Sequence, residues 1–188
     1  MHRRVLRKCT TIIPKEVYSA NTAQGIDIPN RSQSAHNRSN TRYTGRMQRT
    51  IVTDTSFLSR PSDPADPADP LDAAIAQDLK ETLAAHREEC VGMAANMIGE
   101  PKRVIAFVDE GLGSAITVMF NPQITAADGE YDACEGCLSL HGERHTPRFR
   151  RIEVDYTTRK GRARHATFTD WTAQIIQHEI DHCNGVLI

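Results

Sequence analysis

The spacing of apolar residues changes once along this chain, and the change limits what it can fold into. Leu71, Ile75, Leu79 and Leu83 recur every four residues, the repeat of one face of an α-helix running to about Arg87. Asp69 can cap that helix, and Pro70 suits its first position, where an N–H would have no partner anyway. Beyond Arg103 the repeat falls to two or to short apolar runs. Val104–Val108 and Ala115–Phe120 read as strands around a turn at Glu110–Ser114, and Gly129–Ala133 as another. Ile152, Val154 and Tyr156 alternate with charged residues, as a half-exposed strand does. Lys160-Gly161 reads as a hairpin turn and Ala163–Phe168 as the returning strand. Thr169 or Asp170 can then cap a last helix that ends near Cys183, with Gly185 as its left-handed terminator and Trp171 docking it on the sheet. Helix, strands, helix predicts an α+β fold, with antiparallel sheet packed around the C-terminal helix.

The first helix is preceded by Ser59–Pro70, whose prolines forbid helix interior and sheet centre; it reads as an extended connector. Residues 1–46 are different again. They are rich in Ser, Thr, Asn and Arg and carry a charge of about +7, against about −8 for residues 47–188. Such a segment buries too little apolar surface to offset its ordering entropy, so it is expected to be a disordered extension to a single domain at 47–188. It could be an organelle transit peptide, a basic arm for a ribosome surface, or sequence upstream of a natural start at Met47; the last is favoured. The acidic body argues against DNA or RNA as the main ligand. No apolar run nears the roughly 20 residues of a membrane span, and the N-terminus has no apolar segment of the secretory kind. Five cysteines, an odd number, point to a reducing compartment, with Cys90, Cys134 and Cys183 expected as buried thiols.

The strongest chemical signal is Gln177-His178-Glu179-Ile180-Asp181-His182. Residues i and i+4 share a helix face, so two imidazoles one turn apart can grip one metal, with Glu179 beside it to move protons. Asp181 could accept from a ring N–H. Only six residues follow His182, so a third ligand is sought upstream, where Cys134, Cys137, His141 and His145 cluster. Two designs fit. Cys134 and Cys137 could close a four-ligand structural zinc site, though about 40 residues separate the pairs where a finger has roughly 12–15. One cysteine with two histidines would instead leave a fourth position open to water, as hydrolysis requires, and would give Glu179 a role; this design is favoured.

Glu135-Gly136-Cys137-Leu138-Ser139 and Gln177–His182 resemble the second and third signature motifs of peptide deformylases, and Val91-Gly92-Met93-Ala94-Ala95-Asn96-Met97-Ile98-Gly99 resembles the first. The three stand in the family's order over about residues 50–188. The resemblance implies a deformylase-like fold around a metal-binding helix. It implies that Cys137, His178 and His182 bind one divalent metal, Fe2+ in the cell with Zn2+, Ni2+ or cobalt tolerated. It implies removal of the formyl group from the N-terminal methionine of nascent polypeptides in the cytoplasm, or in an organelle if residues 1–46 are a transit peptide. The partners implied are N-formylated nascent peptides and a transient ribosome contact, for a monomer or homodimer, with neither DNA nor membrane. Glu179 would be the proton carrier and the backbone N–H of Leu138 a donor to the formyl oxygen. Gly92 would pass close to the substrate, and Arg144 would meet a peptide carbonyl, pair with Glu135 or stay solvated.

One position departs from the family. Where the first motif carries a glutamine that donates to the formyl oxygen, this chain has Met97, and a thioether donates nothing. Neighbouring Asn96 has an amide, but it is one residue off and shorter. Slower deformylation, a changed N-acyl substrate, a protein that binds peptide N-termini without turnover, or little loss of rate with water or Asn96 as substitute donor are all open after this exchange.

Overall fold

A computed structural model describes residues 48–188; the expectation of a disordered extension at 1–46 lies outside the described residues. The elements in order are α1 (Thr55–Leu58), α2 (Pro70–Ala85), β1 (Gly92–Ala94), a short 3-10 turn (Ala95–Ile98), β2 (Val104–Asp109), β3 (Ala115–Cys137), β4 (Leu140–Thr157), β5 (Ala163–Thr169) and α3 (Asp170–Cys183). The five strands form one sheet in sequence order, antiparallel throughout. The α+β architecture expected from the spacing is present. Among the described residues no helix is long and apolar enough to cross a membrane.

Asp69 caps α2 as expected, its side chain accepting from the Leu71 and Asp72 N–H groups, with Pro70 at the first position. The apolar stripe is shorter at its start. Leu71 is 62% exposed, and the packed face is Ile75, Ala76, Leu79 and Leu83, with Asp72 and Asp78 also buried. Each of these buried carboxylates has a cation: Lys102 lies 3.2 Å from Asp72, and Arg49 lies 2.8 Å from Asp78. That pairing is what makes their burial tolerable. The connector is extended, and the sheet holds it. Asp63 bridges to Lys102, and the Asn121 side chain bonds the Ala65 N–H and carbonyl at 2.8 and 2.7 Å.

The expected strand at Gly129–Ala133 is part of a continuous 23-residue β3. Its register against β4 shifts between Phe120 and Gln123 and again between Ile124 and Ala126. Such bulges bend a strand, which lets one long hairpin run from the core out to an exposed arm. The β4–β5 turn falls at Lys160-Gly161 as expected, with Gly161 in the left-handed region at φ +70°. At α3 the start differs from expectation. Thr169 stands at the cap, but its side chain makes no capping bond, and Asp170 takes φ +50°, which aspartate accepts better than most residues. The helix ends where expected, with Gly185 at φ +73°. Ile175, Ile176 and Ile180 are buried, Trp171 packs against the same core, and α3 lies against β1, β2, β4 and β5. Cys90 and Cys183 are buried free thiols as expected, whereas Cys134 is disulfide-bonded.

Candidate metal centre

Two elements bring the expected ligands together. Cys137 is the last residue of β3, and its sulfur lies 3.2 Å from His182 Nε2. His178 and His182 project from one face of α3, their Nε2 atoms 3.2 Å apart and ring centroids 4.8 Å apart. The ligand atoms of Cys137, His178 and His182 all lie within 4.8 Å of one another, and all three residues are buried. Cys134 is not in this group. It pairs in register with His145, which is exposed and bonds Asp132, so the four-ligand design using both cysteines is not built.

The rotation of α3 is fixed from the sheet. The Gln177 amide accepts the Phe149 N–H and donates to the Phe149 carbonyl, both at 2.9 Å, which sutures the helix to β4. The tautomer of His178 is fixed too. Its Nδ1 lies 2.9 Å from Glu135 Oε2, so with Nδ1–H donating, Nε2 presents a lone pair. Glu135 is fully buried, and Arg148 grips both its oxygens at 2.8 Å. Burial opposes its ionisation, but the hydrogen bonds from His178 and Arg148 outweigh it and hold the carboxyl at about 2.

Two expectations are corrected here. Glu135 pairs with Arg148 and not with Arg144. Arg144 lies opposite Glu135 in register, but its side chain stays in solvent and donates to the His141 carbonyl at 3.3 Å. Asp181 accepts from no ring; its Oδ2 takes Arg148 Nη1 at 2.6 Å, and Glu135 has the role beside His178.

The donor set fits a divalent metal. One sulfur and two imidazole nitrogens suit iron, zinc or nickel. Burial pushes the Cys137 thiol up to about 12 even though the Ser139 N–H lies 3.3 Å from the sulfur, and burial with His178 lowers His182 to about 3. The protein alone thus keeps a neutral thiol and a neutral ring; a dication supplies the charge that makes a buried thiolate stable. Among the described residues, Glu179 Oε2 is buried with no hydrogen-bond partner, so the cavity beside the three ligands has polar capacity that its own side chains do not consume.

Glu179 lines a small cavity with Cys90, Gly92, Met97, Gly136, Cys137, Leu138 and His178. Burial, with the Glu135 charge adding to it, pushes its carboxyl well above the usual carboxylate range. Gly92 passes so close to this group that a Cβ there would overlap Glu179 Oε1 and come within 2.6 Å of Ile175. Met97 is buried and reaches the cavity, its sulfur taking the Ala94 N–H at 3.4 Å. Asn96 does not stand in for the missing glutamine, because its amide Nδ2 donates to the His182 carbonyl at 2.7 Å. Arg144 is outside the cavity lining.

Residues 47–188 match the model of the polypeptide deformylase family. A peptide deformylase of Clostridium beijerinckii is 43% identical over 142 residues, covering 76% of this chain and all of that one. The crystal structure of peptide deformylase from Thermus thermophilus is similar at 32% identity and a TM-score of 0.64, covering 75% of this chain and 83% of that one. That of a peptide deformylase from Legionella pneumophila is similar at 30% identity and a TM-score of 0.68, with the same coverage. A chain whose residues 47–188 match in this way, and whose sulfur and two imidazoles converge beside a buried carboxylate, belongs to the polypeptide deformylase family.

Proposed function

We propose that this protein hydrolyses the N-formyl amide at the N-terminal methionine of newly made polypeptides, releasing formate and a free amine. The observation that carries the reading is the convergence of Cys137, His178 and His182 on one point, with Glu179 lining the same cavity. A divalent cation bound by these three residues would act as a Lewis acid toward the formyl carbonyl and lower the pKa of water towards 7. Glu179 takes the proton of the attacking water and delivers it to the departing amine nitrogen. Its burial suits it to hold that proton between the two transfers. As negative charge builds on the formyl oxygen, the Leu138 N–H donates to it. Met97 has no hydrogen to donate and Asn96 is committed to His182, so the side chains of the first motif add no second donor and turnover is slow. Arg144, outside the cavity, is left to the peptide beyond its formyl end. Fe2+ is the metal we assign, with Zn2+ or Ni2+ also suited to the donor set. The location that goes with such substrates is the cytoplasm, or an organelle if residues 1–46 are a transit peptide.

Loaded with iron(II) under anaerobic conditions, the protein is expected to bind one metal per chain and to release formate from formyl-Met-Ala-Ser. Cys137→Ser should lose both. Met97 favours one rival, a protein that binds peptide N-termini without hydrolysis. One bound metal with no formate release, persisting in Met97→Gln, would establish that rival and end the enzymatic reading.

Gly92 has a consequence of its own. A methyl group there must displace Glu179 or Ile175, both packed in the core of the site. Displacing a catalytic group by about 1 Å can cost roughly 10²-fold. Gly92→Ala should therefore lower kcat by about that factor while metal analysis still finds one ion per chain.

A further inference from the structure

Glu135 is held from two sides. Arg148 grips both its oxygens from β4, while α3 supplies two residues one turn apart on the same helix face. Gln174 Nε2 donates to Oε1 at 3.0 Å, and His178 Nδ1 meets Oε2 at 2.9 Å. Gln174 is 4% exposed, between the fully buried Ala173 and Ile175. A buried amide there is costly unless paired, and both of its polar atoms are.

An amide side chain has two orientations that exchange its oxygen and nitrogen. Only one gives Glu135 a donor; the other sets two acceptors against each other. The Glu135 carboxylate, which only accepts, selects the first, and the Tyr131 hydroxyl then anchors the amide by donating to Gln174 Oε1 at 2.8 Å. Tyr131 sits on β3, half-buried, and Arg150 lies over its ring at 4.7 Å. An unbroken line of contacts thus runs from the surface through Tyr131, Gln174 and Glu135 to His178.

We infer that Tyr131 and Gln174 are positioning residues for His178: Tyr131 anchors the Gln174 amide, Gln174 completes the clamp on Glu135, and Glu135 aims the imidazole at the metal. The inference rests on reading Cys137, His178 and His182 as the metal ligands. Partners one step behind a ligand typically change metal affinity by 10–100-fold, and Gln174 stands one step further back.

The test is zinc affinity of the full chain, measured by competition with a chromophoric chelator. Gln174→Leu removes both bonds at similar volume and should weaken zinc binding by about 10-fold, the low end of that range. Tyr131→Phe keeps the ring under Arg150 and should weaken it less, and the double variant should bind no more weakly than Gln174→Leu alone, because Tyr131 acts only through Gln174. In the zinc-loaded protein, the imidazole N–H resonance of His178 should shift in both variants while that of His182 stays in place. Wild-type affinity in Gln174→Leu, additive losses in the double variant, or equal shifts of both rings would overturn the assignment. Should Gln174→Leu fail to fold, Tyr131→Phe, which loses one oxygen, decides by the same two measurements. Zinc binding by the native protein without formate release would overturn the proposed activity alone; equal zinc affinity in native and variant chains would overturn this inference alone.

Discussion

Glutamine in place of Glu179 should lower kcat for formate release by roughly 10²–10⁴-fold, the usual worth of a positioned acid–base group, with one metal still bound per chain. The substitution keeps the shape of a side chain that is 1% exposed and packed against Gly92. It removes only the capacity to take up a proton. Glu179 Oε2 has no partner among the described residues, so the carboxylate is not tied into the Arg148–Glu135 network that orients His178. An effect on rate without an effect on metal content is therefore the expected signature. Retention of more than a tenth of native kcat would show that another group carries the proton.

Met97→Gln should move the rate in the opposite direction. One donor aimed at a developing oxyanion is worth about 10²–10³ in kcat in other hydrolases. Glutamine is close to methionine in length, and position 97 already reaches the cavity that Cys137, Leu138 and Glu179 line. The expected result is a rise in kcat of about 10²-fold with little change in KM, read from initial rates on formyl-Met-Ala-Ser. An unchanged kcat would mean that the formyl oxygen is already fully served and that Met97 belongs to a differently arranged site.

Much of this site could be read from the chain because it depends on local repeats. The i, i+4 histidines needed only a helix, and the helix was marked by buried isoleucines and by Gly185 at its end. The Cys137 ligand followed from the resemblance to a known motif, not from spacing. Other residues left no such trace. Arg148 serves Glu135 and Asp181 across 13 and 33 residues, and no periodicity links those positions. Arg144 lies directly opposite Glu135 in register, but its side chain points to solvent. Gln177 suturing α3 to Phe149, and Asn96 holding the His182 carbonyl, are contacts of tertiary packing and equally hidden. Leu71 fits the helical repeat yet lies in solvent, one residue into the first turn of α2. The alternation of β3 loses phase in the sequence where its bulges fall, between Phe120 and Ala126.

The last residue of β3 and the far end of α3, 45 positions apart along the chain, supply atoms to one point. An ion seated there is a staple between the hairpin and the terminal helix. Whatever binds the folded arrangement and not the open chain adds to the work of pulling them apart, in proportion to the logarithm of its free concentration over its dissociation constant. The endurance of this fold in a cell thus follows the supply of its ion, and starvation for that ion weakens the scaffold along with the chemistry.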